Sequence, residues 1–427
     1  MTANREPPVT DNGEPPVATG EGSGCSEGGL HPPFPGWMGP LVGAVVLLVC
    51  LGLAEVGLRI MAPFPDPFVR QKTPVGSVWT NQFIRSEFPT NFSMETEAEP
   101  GLPGVSGPNL FSTNNMGFRG PHLVQPKPSD EFRIFMVGGS TTENLYLDDS
   151  DALTAVLQRE LQDRAPPDVA VRVYGAGKSG DRSDDHIAML AHRIVHLEPD
   201  LVVVFAGIND LRAAMAGFDY LHFNPRPWVA MEDSPELLQA RHLFKLLLTE
   251  LQLGRRAYAL VNRAIPEDPN VVLQTLAGRS NYRALVEIRR NAPRTDASPR
   301  VELEPYGTNL RTLAGVALGQ KLPLVFMTQA TTWDSQVDPR VEEWQWLLYG
   351  VNATHGAELM DQAMEAYNDV MRGVAAESGI LLFDLARVLP KSLDYFYDDV
   401  HFNVEGAQAA GVKLAEFLVR WGTVPEG

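Results

Sequence analysis

Cysteine is almost missing: Cys25 and Cys50 are the only two in 427 residues, and both precede the part of the chain with regular apolar patterning. No disulfide framework can therefore hold a globular core together. Positive charge is short as well. With 35 Lys and Arg against 53 Asp and Glu the formal charge is −18, which repels polyanions and argues against a nucleic-acid partner. Large apolar side chains are scarce in residues 1–36, a Pro-, Gly- and acid-rich stretch. Such a segment cannot offset the entropy of ordering, so a disordered tail is expected there.

One long apolar run follows, "WMGPLVGAVVLLVCLGLAEVGLRIMA" at residues 37–62, uncharged from Trp37 to Ala54. That stretch just reaches the roughly 18 residues of a membrane span, and a single-pass anchor is expected. A cleaved signal peptide is opposed by the missing basic segment and the long preceding tail. A lipoprotein signal is opposed by Val49, which stands where a small residue must precede Cys50. A soluble core helix is the other rival, because Glu55 and Arg59 could pair at i, i+4. Arg59, Arg70 and Lys72 after the run weakly favour a cytoplasmic C-terminal side, yet long domains translocate largely regardless of charge. Orientation stays open on charge alone, and the expectation is that the C-terminal domain lies outside the cytoplasm.

After a linker and extension at 63–131, short apolar runs alternate with amphipathic ones. The apolar runs lie in "RIFMVGG", "VAVRVYGAG", "LVVVFAGIND", "LPLVFMTQA" and "GILLFDLA". Continuous apolar strands separated by helices predict a five-stranded parallel sheet covered on both faces, in a domain over 132–421. Ligands of such sheets bind at the carboxyl ends of the strands. An insertion at 211–305 interrupts the rhythm, and either a lid or a surface elaboration would fit it.

Polar residues fall where that site should be. Ser140 follows the first strand, Gly177 the second and Asn209 the third, while "DDVH" puts Asp398 three residues before His401 ahead of the last helix. Singly, each has an ordinary structural explanation as a turn former or surface residue. Jointly they supply what ester hydrolysis needs. A serine hydroxyl attacks once a base takes its proton, a carboxylate fixes that histidine's tautomer, and an oxyanion requires preorganised donors. The backbone N–H groups of Ser140 and Gly177 and the Asn209 amide are candidate donors.

The blocks "GGST" (138–141), "GAGKSG" (175–180), "GIND" (207–210) and "DDVH" (398–401) resemble, in order, those of the SGNH subgroup of the GDSL esterase and lipase superfamily. The upstream "NNMGFRGP" is similar to a segment of some membrane-anchored members. The resemblance implies a flavodoxin-like three-layer sandwich and a serine-hydrolase mechanism without metal or other cofactor. It makes Ser140 the nucleophile and a donor, Gly177 and Asn209 the other donors, His401 the base and Asp398 its orienting acid. Gly139 departs from the Asp of the name-giving motif, and Gly175 from an Asn found in many members.

Other chemistries fit less well. "VGGSTTEN" lacks the lysine of GxxxxGK[ST] and no GxGxxG fingerprint is expected, and "HRIVH" lacks the Glu of HExxH although His192 and His196 are spaced for one helix face. The expected substrate is a small acyl ester, with O-acetyl groups on cell-surface carbohydrate suggested by analogy. Two alternatives use the same residues or the same fold: acyl transfer to a carbohydrate hydroxyl, and a binding scaffold without turnover.

Overall fold

A computed structural model of the protein describes residues 38–61, 84, 87–217, 251–262, 282–336, 338–350, 353–425 and 427. The expected tail, the first part of the linker and much of the insertion lie outside these residues.

The first helix, α1 (Met38–Met61), buries none of its residues and is long and apolar enough to cross a membrane. A small antiparallel ribbon follows, β1 (Ser93–Thr96) with β2 (Asn109–Ser112). Next come β3 (Glu131–Gly138), α2 (Ser140–Glu143), α3 (Leu153–Gln162), β4 (Ala170–Gly177), α4 (Ser183–His192), β5 (Leu201–Phe205) and α5 (Ile208–Met215). The insertion contributes α6 (Gln252–Asn262) and α7 (Tyr282–Asn291). The chain continues through β6 (Arg294–Thr295), α8 (Leu303–Gly319), β7 (Leu324–Met327), α9 (Pro339–Glu342) and β8 (Thr354–His355). It closes with α10 (Ala357–Ser378), β9 (Leu381–Phe383), α11 (Leu385–Val388) and α12 (Val404–Arg420).

The five predicted strands form one parallel sheet in the order β4-β3-β5-β7-β9. Numbered along the chain, that order is 2-1-3-4-5, the flavodoxin-like arrangement. Every residue of β5 and β7 is buried, as the unbroken apolar runs require of strands covered on both faces. Alternation sorts the side chains. Ile134, Met136, Val203 and Phe205 face Leu153 and Leu157 of α3 and Ala407, Ala410 and Leu414 of α12. Phe135, Val137, Val202 and Val204 face Leu310 of α8 and Met364, Tyr367 and Met371 of α10.

The chain leaves β3 toward β4 on one side and returns to β5 on the other. The reversal lies between β3 and β5, and a sheet of this kind opens its binding crevice at the carboxyl ends beside that reversal. Ser140 and Asn209 follow those two strands directly.

Three sequence expectations need correction. Leu211–Met215 are not inserted: they complete α5, and Leu211 is buried in the core. The stretch 87–131 is more than a linker, because Arg119 pairs with the edge of β4 at Gly175. His192 ends α4 while His196 falls in the 3-10 turn Ile194–Leu197, so the two do not share one regular helix.

Candidate active site

The nucleophile candidate is presented by a short, tightly braced turn. β3 ends at Gly138, and the Thr142 and Glu143 N–H groups both donate to the Gly139 carbonyl at 3.1 Å, closing α2 behind Ser140. Asn144, left-handed at φ 49°, ends the turn. Arg119 secures it from below: its buried guanidinium donates to the carbonyls of Glu143 (2.8 Å), Asn144 (2.7 Å) and Leu147 (2.6 Å) and to Asp149 (2.9 Å). Burial depresses this guanidinium's pKa, with Asp149 as the chief offset.

His401 arrives from the loop before α12. Its Nε2 lies 2.7 Å from Ser140 Oγ, and its Nδ1 lies 2.7 Å from Asp398 Oδ2. Asp398 is wholly buried, while the imidazole keeps a little exposure. Burial opposes a charged ring, but the charge and hydrogen bond of Asp398 outweigh it and raise His401 above its ordinary 6.5. The order Ser–His–Asp is the proton relay that activates an alcohol. Tyr397 stacks on the imidazole with ring centres 5.4 Å apart and planes 8° from parallel.

Asn209 sits in the first turn of α5, after Gly207 at φ 131°. Its Nδ2 donates to the Asp181 carbonyl at 2.7 Å. The same nitrogen would lie 2.4 Å from a Cβ at position 139. The missing Asp of the name-giving motif therefore has a physical reason, since a side chain there displaces the amide. Gly175 is less constrained: a Cβ would come within 3.3 Å of Thr154 and 3.4 Å of Arg119, a tight contact that a small shift relieves.

Gly177 is placed differently from the expectation. Its neighbour Lys178 donates its N–H to the Gly138 carbonyl, and Gly175 donates to Arg119 on the opposite edge of β4. Backbone groups alternate in direction along a strand, so Gly177, two residues beyond Gly175, points its N–H toward the Arg119 edge. It faces away from the strand that carries Ser140. The segment that does approach Asn209 is the next turn, where the Asp181 N–H donates to the Lys178 carbonyl and Gly180 takes φ 82°.

The GxGxxG spacing of a dinucleotide loop, expected to be absent, does occur in "GAGKSG". Here α2 already fills the space over Gly177, where an added Cβ would lie 2.5 Å from the Glu143 nitrogen. Glu143 in turn accepts from the Ser179 N–H at 2.5 Å and from the Ser179 hydroxyl. The turn after β4 is thereby tied to the turn that carries Ser140.

Residues 136–409 match the GDSL-like lipase/acylhydrolase family. The chain belongs to that family. It is an SGNH-type serine hydrolase acting on esters. Solved structures are similar to the chain at low identity. LAE5, an alpha/beta hydrolase from the metagenome of Lake Arreo in Spain, is 18% identical, with 69% of this chain and 96% of that one covered and a TM-score of 0.38. Axe2, an acetylxylan esterase from Geobacillus stearothermophilus, is 16% identical over 70% and 97%, with a TM-score of 0.37. A lipase/acylhydrolase from Enterococcus faecalis is 16% identical over 69% and 99%, also with a TM-score of 0.37. No curated protein matches the chain.

Residues that sequence reading missed cluster around the acid. Trp346 donates its indole N–H to Asp398 Oδ2 at 3.1 Å. Asp399 accepts from the Trp333 indole (2.7 Å) and from the Trp346 (2.6 Å) and Leu347 (3.0 Å) N–H groups. Tyr282, from the insertion, packs edge-on against Tyr397 at 5.7 Å and Tyr146 at 6.1 Å. The "DD" pair was visible in the sequence, but nothing local distinguished its two roles.

Proposed function

We propose that this esterase hydrolyses short acyl esters through an acyl-enzyme on Ser140. The observation that carries the reading is the relay Ser140 Oγ–His401 Nε2–His401 Nδ1–Asp398 Oδ2, with both gaps at 2.7 Å. His401 takes the hydroxyl proton as Oγ bonds to the acyl carbon, and Asp398 stabilises the imidazolium. The oxyanion is met by the Ser140 N–H, the Asn209 amide and, in place of Gly177, the Gly180 N–H of the turn beside Asn209. His401 then returns its proton to the leaving alcohol. Water repeats the sequence to free the acid.

Buried Tyr146, Tyr282 and Tyr397 fill the volume beside His401, which favours a small acyl group such as acetyl. In this reading α7 of the insertion forms a wall of the site. The alcohol component is proposed to be a cell-surface carbohydrate hydroxyl. Support comes from the apolar α1, read as a single-pass anchor, and from half-exposed Trp344 and Trp346 at the aromatic cluster, rings on which a sugar can stack. The hydrolase domain would then lie outside the cytoplasm.

Pre-steady-state hydrolysis of p-nitrophenyl acetate tests the chemistry. A burst of one nitrophenol per chain, absent in Ser140→Ala, is expected. Turnover retained by Ser140→Ala would refute the reading. Acetate release from an O-acetylated polysaccharide tests the substrate class, and a reporter fused after Gly427 tests the side of the membrane.

A further inference from the structure

Asp398 is held by four donors. Its Oδ1 accepts from the Val400 N–H at 2.9 Å and the His401 N–H at 2.8 Å, and its Oδ2 from His401 Nδ1 at 2.7 Å and Trp346 Nε1 at 3.1 Å. Three of these come from its own loop. The fourth arrives from a segment 52 residues away, and it is aimed deliberately by the neighbouring acid. Asp399 fixes the Trp346 and Leu347 backbone from one oxygen and the Trp333 indole from the other. The two adjacent carboxylates thus divide the work: Asp398 faces the imidazole, and Asp399 anchors the loop that returns an indole to Asp398.

We propose that Trp346 is a positioning residue that sets the basicity of His401 through Asp398. This rests on reading Asp398 and His401 as the acid and base of the relay. The indole N–H and the imidazole N–H donate to the same oxygen. A donor there disperses the carboxylate's charge and weakens its hold on an imidazolium. Without it the carboxylate becomes more basic and the charged ring more stable. His401 then stays protonated to higher pH and is a poorer base near neutrality. The other groups that face His401 are Asp399 on its own loop, Glu143 of α2 and the stacked Tyr397. Tyr282 of α7 faces Asp398, and Arg212 of α5 faces Asp399. None of these is removed when indole is exchanged for a phenyl ring.

The test compares the full chain with Trp346→Phe in detergent. It measures the pH dependence of kcat/KM on p-nitrophenyl acetate and the NMR titration of the His401 ring, assigned with His401→Gln. The acid limb and the ring titration are both expected to move up by about half a pH unit. At neutral pH kcat should fall by up to about threefold, the most that half a pH unit can remove from the neutral ring, with KM nearly unchanged. In the wild type the Trp346 indole proton should shift with the same midpoint as His401, a readout that does not depend on the variant's folding. Superimposable profiles, a loss in KM alone, or an indole proton that ignores the His401 titration would overturn the proposal. Ser140→Ala is assayed alongside. If it keeps turnover, the relay itself is wrong; if it loses turnover while Trp346→Phe matches wild type, only this inference falls.

Discussion

His401 Nε2 lies 2.7 Å from Ser140 Oγ although 261 residues separate the two. The contact depends on the whole sandwich. Ser140 is fixed by the end of β3, while the His401 loop leads into α12, which packs on α3 along a face where Gly411 meets Val156. A Cβ on Gly411 would lie 2.6 Å from Val156 Cγ1, so only glycine permits that approach without a shift.

Ser140→Ala and His401→Ala should each remove nearly all esterase activity, and the double variant should be hardly worse than either. Residues that act as one unit are strongly non-additive. Steady-state kinetics on p-nitrophenyl acetate decide this, and losses that multiply would show two independent contributions.

Asn209→Ala should lower kcat by about a hundredfold, roughly 3 kcal/mol, with little change in KM, because the amide matters most as the oxyanion forms. Gly139→Asp, which restores the name-giving residue of the family, should also lose activity while the fold survives. Its Cβ would stand 2.4 Å from Asn209 Nδ2, the movable end of a side chain. A variant with normal circular dichroism and undiminished turnover would contradict the close approach described above.

How much of this was legible in the sequence follows from what each feature depends on. The five strands were readable because strands buried on both faces must be continuously apolar, as "LVVVF" is. Ser140, Asn209, Asp398 and His401 were readable because they stand at strand and helix boundaries with the residue types that acyl chemistry needs. Gly177 was misread because the direction of a strand N–H is set by register, here by Lys178 on Gly138. Trp346 left no local pattern, and nothing local told the role of Asp399 from that of Asp398. The contact of Trp346 with Asp399 is made only after segments some fifty residues apart have folded against each other.

The pH dependence should reflect a histidine raised by Asp398. As the proposed base His401 must be neutral to act, so kcat/KM should rise with pH through a midpoint above the ordinary 6.5 and be lost as the ring protonates below it. Asp398→Asn removes the charge that favours the imidazolium, so its residual activity should show a lower midpoint. A wild-type midpoint below 6.5 would mean that burial, which acts the other way, dominates.

Asp399 should make the protein less stable as pH rises. Burial first, and then the charge of Asp398, push its carboxyl up to about 7 against its ordinary 3.8. The folded chain therefore holds a proton that the unfolded chain releases, and stability declines with rising pH between those two values. Melting midpoints measured from about pH 5 to about pH 8 should fall more in wild type than in Asp399→Asn. Equal slopes would remove Asp399 as the cause.

The most direct measurement is covalent. The full chain is treated with a fluorophosphonate probe and the adduct located by peptide mass spectrometry, beside Ser140→Ala and His401→Ala. A relay of this geometry predicts one adduct, on Ser140, absent in Ser140→Ala and strongly slowed in His401→Ala. An adduct on another serine, or none on a wild-type chain that turns over p-nitrophenyl acetate, would contradict it.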